Sequence, residues 1–438
     1  MLKAAYFVCH PPILLPEVGK GEEKKIEKTK KGYQKVAKDI ARIKPDTIVL
    51  VSPHARSYYD YIEISAGKSA TGSMSMFDAK EVVFQEIYDQ DFVNECCKQF
   101  KEQQLPAGCI RNKESVLDHG TMVPLYFIEK EYKDFKLVRL SVSGLDQQTH
   151  KMIGKVINQV ANECGKDVVF VASGDLSHKL KKDGPYGYCH EGEQFDDAVV
   201  NCLKTNRLQD IGLIPKNLCE KSAQCGLPSL WMMLGVLQNE RYTCHFYSYE
   251  KVFGVGYVTA RFAISKKDAY VDLARSAIQT YVCEHRVLDA SLAEKELRLK
   301  RSGAFVSIHK QKELRGCIGT IYATKENLAE EIISNAIAAA MRDPRFSPIQ
   351  KEELPLLELS VDEIQEPEMI SSFDELDIKR YGVIVSTPTK CGLLLPNLEG
   401  VTSIPQQVSI ALQKAGIRKN ETYQLERFEV IRHEEGYL

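Results

Sequence analysis

The sequence predicts an α/β amino-terminal domain, a largely parallel central sheet flanked by helices, followed by a smaller α+β domain. Three observations predict this. Short, near-continuous apolar runs alternate with helical stretches over the first part of the chain, as strands buried on both faces do. Three of these runs lead into a histidine: Leu2 to Val8 into Cys9-His10, Thr47 to Val51 into Ser52-Pro53-His54, and Asp167 to Ala172 into a segment ending at His178. Finally, 438 residues exceed what one hydrophobic core usually supports.

Taken in order, Leu2–Val8 is the first strand and the charged amphipathic stretch Gly21–Ile43 the first helix. Thr47–Val51, Tyr61–Ala66 and Lys136–Val142 read as strands. Gln147–Cys164 is a helix before the third histidine strand, and Gly192–Leu203 and Gly226–Leu237 are helices. Thr243–Tyr249 and Gly254–Ile264 close the sheet. The polar stretch 265–268 is the linker, with Asp268 placed to cap a helix over Ala269–Val282. Domains are thus expected at 1–264 and 268–438. In the second, Ala304–Ile308 and Gly316–Ile321 form a strand pair and Lys325–Met341 an alanine-rich helix. Leu357–Ile364, Gly382–Ser386 and Tyr423–Arg432 are further strands, with a helix near Pro405–Ala415. No internal repeat or low-complexity segment interrupts this pattern.

Composition narrows the function. Apolar residues make up 44% and charged residues 27%, ordinary for a globular protein, and a net charge of −2 carries no nucleic-acid footprint. Neither a signal peptide nor an apolar run of membrane-spanning length is present, so a cytoplasmic protein with no membrane partner is expected. In that compartment the 13 cysteines are expected as reduced thiols. There is no Cys-x-x-Cys pair to suggest a zinc ribbon or iron–sulfur cluster, and the adjacent Cys96 and Cys97 read as buried small hydrophobes.

The chemistry lies at the strand ends. In open α/β sheets ligands gather outside the carboxyl ends of the strands, so histidines far apart in sequence can converge there. Imidazole binds Zn, Cu, Fe and Ni, and a metal site is the first reading. Asp118-His119-Gly120 adds a histidine beside a carboxylate that can orient it. Cys225 precedes a helix, where a depressed pKa would make it a thiolate ligand. Glu250, at the end of a late strand, is the alternative carboxylate. Asp175 can equally be a helix cap, while His190 and His245 read as structural or exposed.

The segments CHPPILLPE, VLVSPHA, LDHGTMVPL, SGDLSH and CGLPSLWMMLG, in this order, resemble the class III extradiol dioxygenase superfamily. That superfamily includes LigB-type ring-cleaving enzymes, DOPA dioxygenase-like proteins and Memo proteins. The resemblance covers residues 1 to about 264. It implies His10 and His54 as metal ligands, with Cys225 as the third, as in Memo proteins. It also implies His119 facing substrate or dioxygen, His178 as acid–base catalyst, and Asp175 as the acidic residue before it. In the second domain LRGCIG, RDPRF and the segment around Cys391 resemble an AMMECR-type domain over 268–438. There Arg315 can neutralise an anion or pair with a buried carboxylate, and Cys317, with no visible base beside it, is not read as a nucleophile.

Together the two resemblances imply parts of the AmmeMemoRadiSam system, in which a radical S-adenosylmethionine enzyme acts as partner. The expected function is a non-haem metal oxidoreductase, with Fe(II) as the implied metal and Zn or Cu as alternatives. Its substrate would be an aromatic or enolisable small molecule. Two other functions compete: a non-catalytic metal- or ligand-binding scaffold for the radical enzyme, and a zinc hydrolase, which the mixed nitrogen–sulfur donor set would suit. A homo-oligomer is left open.

Overall fold

The computed structural model describes residues 1–110, 116–265, 268–311, 313–398, 400–418 and 420–436. It divides into two compact units, Met1–Ser265 and Lys266–Gly436. Two of the predicted linker residues, Lys266 and Lys267, lie outside the described residues.

The elements of the first unit run as follows: β1 (Leu2–Val8), α1 (Glu27–Ile43), β2 (Thr47–Ser52), β3 (Ser69–Met74), β4 (Ala79–Ile87), α2 (Gln90–Glu102), α3 (His119–Ile128), β5 (Lys136–Ser141), α4 (Gln147–Glu163), β6 (Val168–Ser173), α5 (His190–Lys204), α6 (Leu227–Val236), β7 (Tyr242–Glu250) and β8 (Tyr257–Ile264). A six-stranded sheet has the order β5-β2-β6-β1-β8-β7. Its first four strands are parallel, and β8 and β7 continue it antiparallel. Both faces are buried, which explains the unbroken apolar runs. Phe7, Val49, Val51, Phe170 and Ala172 face one core, built against α4 and α6. Tyr6, Val8, Ile48, Leu50 and Val171 face the other, built against α1 and α3.

Some elements differ from the sequence reading. The expected helix from Gly21 is broken: Glu22–Ile26 is a 3-10 turn, Ile26 is non-helical (φ −118°, ψ 45°), and the α-helix starts at Glu27. Ile26 is fully buried, and holding it in the core bends the chain there. Tyr61–Ala66 shrinks to Ile62–Glu63, paired in parallel with Ala107–Gly108. Sequence reading missed the β3–β4 hairpin and the helices α2 and α3. Among the described residues, no helix is long and apolar enough to cross a membrane.

In the second unit α7 (Ala269–Glu284) starts where expected, with the Asp268 carboxylate accepting from the Tyr270 and Val271 amides. Then come β9 (Ala304–Lys310), β10 (Glu313–Gly319), α8 (Leu328–Met341), β11 (Leu357–Ile364), β12 (Gly382–Ser386), β13 (Cys391–Leu394), α9 (Ile404–Ala415), β14 (Gln424–Phe428) and β15 (Val430–Glu434). One antiparallel sheet is β10-β9-β11-β15, and in the other β12 lies between β13 and β14, with Glu368–Met369 on the far side of β14. The stretch expected as a single strand, Tyr423–Arg432, changes sheets at Glu429, between β14 and β15.

The two sequence motifs of this unit interlock. Arg315 donates to both oxygens of the Glu353 carboxylate (3.1 and 3.0 Å), so it pairs with a carboxylate. Burial would raise that carboxyl, but the bonds from Arg315, the Gln350 amide and Lys310 outweigh it and hold the pKa at about 2. The buried Asp343 accepts from the Cys317 amide (2.8 Å) and from Arg345 (2.7 Å), while Arg345 also donates to the Cys317 carbonyl. Asp343→Ala would orphan the Cys317 amide and free Arg345. We expect this unit to lose about 1–3 kcal/mol of unfolding free energy, measured by urea titration.

Candidate metal centre

The sheet register brings the strand ends together. β6 lies between β1 and β2, and Val8 pairs with Ser173 and Val51 with Ala172. The three parallel strands therefore release the chain at one level. His10, His54 and Asp175 follow within three residues of their strands, at the edge where ligands collect.

Two groups of candidate ligands result. His10, His54 and His119 each offer a ring nitrogen, and His10, Asp175 and Cys225 each offer a donor atom; within each group these atoms lie within 4.8 Å of one another. His10 belongs to both. Its Nε2 is 3.0 Å from His54 Nε2 and 3.6 Å from Cys225 Sγ. The triad implied by the family resemblance thus meets at His10, with His119 and Asp175 close enough to join it. His178 belongs to neither group.

Hydrogen bonding fixes the form of two imidazoles. A carbonyl can only accept, so Ser173 Oγ spends its single proton on Gly120 O (2.6 Å). His10 Nδ1, 2.8 Å from the same Oγ, must then be the donor. His10 Nε2 is left with its lone pair facing His54 and Cys225, the tautomer a metal needs. Similarly, His178 Nδ1 faces the Ala223 carbonyl and must donate to it, leaving Nε2 as the free base.

The His119 side is held by Asp118, which caps α3 by accepting from the Thr121 amide (3.0 Å) and hydroxyl (2.9 Å). The Ser52 hydroxyl and the buried Arg139 (3.4 Å) also reach this carboxylate. Asp118 thus anchors the helix that carries His119. Gly120 is required here, because a Cβ would come within 2.4 Å of Ser52 Oγ.

Cys225 is placed by the backbone. The Asp175 carbonyl accepts from the Cys225 and Gly226 amides (3.3 and 2.9 Å), and the Asp175 amide points at Cys225 Sγ (3.3 Å). The Asp175 carboxylate accepts from the His10 amide (2.9 Å), so it is no helix cap.

Burial sets the protonation states. It holds His10 well below the ordinary imidazole range, with His54 and His119 adding to the effect. His119 is pushed down to about 4, by burial and then by His54. These rings are therefore neutral at neutral pH. Burial raises Asp175 to about 7. The expectation of a depressed Cys225 pKa is corrected. Burial, then the Asp175 carboxylate, pushes the thiol well up, and the helix begins only at Leu227. A bound cation would favour the thiolate, and neutral imidazoles beside a thiol and a carboxyl are a donor set that fits one.

Glu250, the alternative ligand, is occupied elsewhere. Its carboxylate accepts from the Thr29 amide and hydroxyl, both at 2.7 Å, in the first turn of α1. Two aromatic neighbours escaped sequence reading: Phe77 packs edge-on to His119 (centroids 5.5 Å) and Tyr186 to His178 (5.1 Å). Phe77 follows the missed β3 strand, so no periodic signal marked it.

Residues 4–260 match the model of the catalytic LigB subunit of aromatic ring-opening dioxygenase, and residues 271–433 match AMMECR1. Protein CA_C1420 of Clostridium acetobutylicum is 39% identical, the match covering 99% of this chain and 100% of that protein. A Thermotoga maritima protein is 46% identical over 168 residues, 37% of this chain and 96% of its own length. Among solved structures, the uncharacterized protein JW3007 from Escherichia coli K12 aligns over 59% of this chain and 99% of its own, with 16% identity and a TM-score of 0.40. The chain belongs to the family of the catalytic LigB subunit of aromatic ring-opening dioxygenase over residues 4–260 and carries an AMMECR1 domain over residues 271–433.

Proposed function

We propose that the first domain is a metal-dependent oxidoreductase of the extradiol-dioxygenase type. It would hold Fe(II) at His10, His54 and Cys225 and act on an aromatic or enolisable small molecule, in one system with a radical S-adenosylmethionine enzyme. The observation that carries this reading is the convergence at one sheet edge of neutral imidazoles, with the His10 lone pair turned inward. Family membership supports the reaction class.

The ion, when bound, supplies Lewis acidity and a change of redox state. The protein's own groups supply the rest. His178 Nε2 can take the proton of a substrate hydroxyl, because its other nitrogen is committed to Ala223. His119, neutral and fixed at the start of α3, can donate to negative charge developing on the substrate. The rings of Phe77 and Tyr186 offer apolar surface to a planar substrate.

The test is metal analysis of anaerobically purified protein beside His10→Ala, His54→Ala and Cys225→Ala. Near-stoichiometric iron in the parent, lost in the variants, is expected. Catechol-dependent oxygen uptake should then be abolished by His178→Ala. Zinc with hydrolytic activity would favour the hydrolase, and a parent without metal would overturn the proposal in favour of a binding scaffold.

A further inference from the structure

Away from the histidine cluster, two other thiols of the first domain face each other. Cys97 lies on α2, and Cys109 directly follows the two-residue strand Ala107–Gly108. Their sulfur atoms are 3.2 Å apart. Sequence reading took Cys96 and Cys97 alike as buried hydrophobes. Only Cys96 is buried; Cys97 is half-buried and Cys109 is exposed. Gly108 makes the approach feasible. Its φ of +154° is disfavoured for other residues, and a Cβ there would come within 2.8 Å of Tyr61 Oη and 3.9 Å of Cys97 Sγ.

We propose that Cys97 and Cys109 form a redox-active dithiol that closes to an intramolecular disulfide by exchange with a low-molecular-weight disulfide. A sulfur–sulfur bond is about 2.05 Å long, so closure needs only a small approach from the present contact. The exposed edge of the pair admits the oxidant.

The two sulfurs differ in environment. Hydrogen bonds from the Cys109 thiol and amide hold Cys97 below the ordinary thiol range, while the same contact holds Cys109 above it. Glu63 and Cys96 also act on Cys109, and Tyr61 feels both thiols. Whichever thiol opens the small disulfide, its partner lies 3.2 Å away to resolve the mixed disulfide, and the route through Cys97 stands for both. The Cys97 thiolate attacks one sulfur of the small disulfide, whose S–S bond breaks. The other half leaves as a thiolate and takes up the proton Cys97 gave up. Cys109 then loses its proton and attacks Cys97 Sγ. The mixed disulfide breaks, the new S–S bond forms, and the second small thiolate leaves and takes that proton. Overall, two protein thiols are oxidised and one small disulfide is reduced to two thiols.

The test uses the full chain, reduced, desalted and treated with oxidised glutathione, followed by non-reducing peptide mass analysis. The exposed Cys283 and Cys391 serve as internal controls. A Cys97–Cys109 cross-link forming before the controls are modified is expected. Cys109→Ser should stop at a glutathione adduct on Cys97. Cys97→Ser should likewise stop at a glutathione adduct on Cys109. Both variants should stay close to the parent's thermal unfolding midpoint when reduced, since Cys97 lies only at the edge of the core and Cys109 is exposed. Modification of Cys283 and Cys391 while Cys97 and Cys109 stay reduced would overturn the proposal. So would stable glutathione adducts on both thiols with no cross-link between them.

Discussion

Ser173→Ala is expected to weaken metal binding ~10- to 100-fold although the side chain reaches no metal. The hydroxyl is fully buried and joins two elements, accepting from His10 Nδ1 and donating to the Gly120 carbonyl of α3. Without it, Nδ1 has no acceptor and the proton is free to move to Nε2. A protonated Nε2 cannot bind a cation until it gives that proton up. Affinity measured by chelator competition should fall, and Ser173→Thr, which keeps the hydroxyl, should restore part of it. Nitrogen NMR of the metal-free protein supplies the independent readout: His10 protonated at Nδ1 in the parent, and a tautomer mixture in Ser173→Ala. Unchanged affinity and an unchanged tautomer would refute the relay.

Gly174→Ala is expected to cost about 3 kcal/mol or more of first-domain stability and to weaken the metal centre with it. A Cβ at Gly174 would lie 2.2 Å from the Gly226 Cα. Both sides of this contact are backbone, so no flexible side chain can yield. Relief must move the end of β6 away from the start of α6, and with it Cys225 from His10, now 3.6 Å apart. Urea unfolding should show an earlier first-domain transition. The second domain, with its own core, should keep its midpoint. A variant as stable as the parent would mean that the two glycines do not need this contact.

The parallel strands were legible because burial on both faces leaves unbroken apolar runs, and Leu2–Val8 begins and ends as read. The β3–β4 hairpin was not, because Ser69–Met74 is rich in small polar residues and alternates irregularly. The helix α3 was hidden for the opposite reason: it is apolar all round and carries an internal proline. Strand endings made the convergence of His10 and His54 legible, since a residue just after a parallel strand emerges at the same sheet edge. The protonation of Cys225 was misjudged, because proximity to a helix is visible in sequence and desolvation is not. The Ser173 relay needs three segments in register, and Cys109 opposite Cys97 depends on a two-residue strand; neither leaves a local pattern.

The contact between His10 and Cys225 joins residues 215 positions apart. During synthesis His10 leaves the ribosome long before Cys225, and the strand that separates β1 from β2 is itself made late. Such distant pairings are slow to form, because a long loop must be closed before they are rewarded. The nascent chain therefore carries isolated histidines without a chelating pocket until most of the first domain has emerged. An ion held by this set would therefore be loaded after assembly, and its identity could be set by what the cell offers the finished domain.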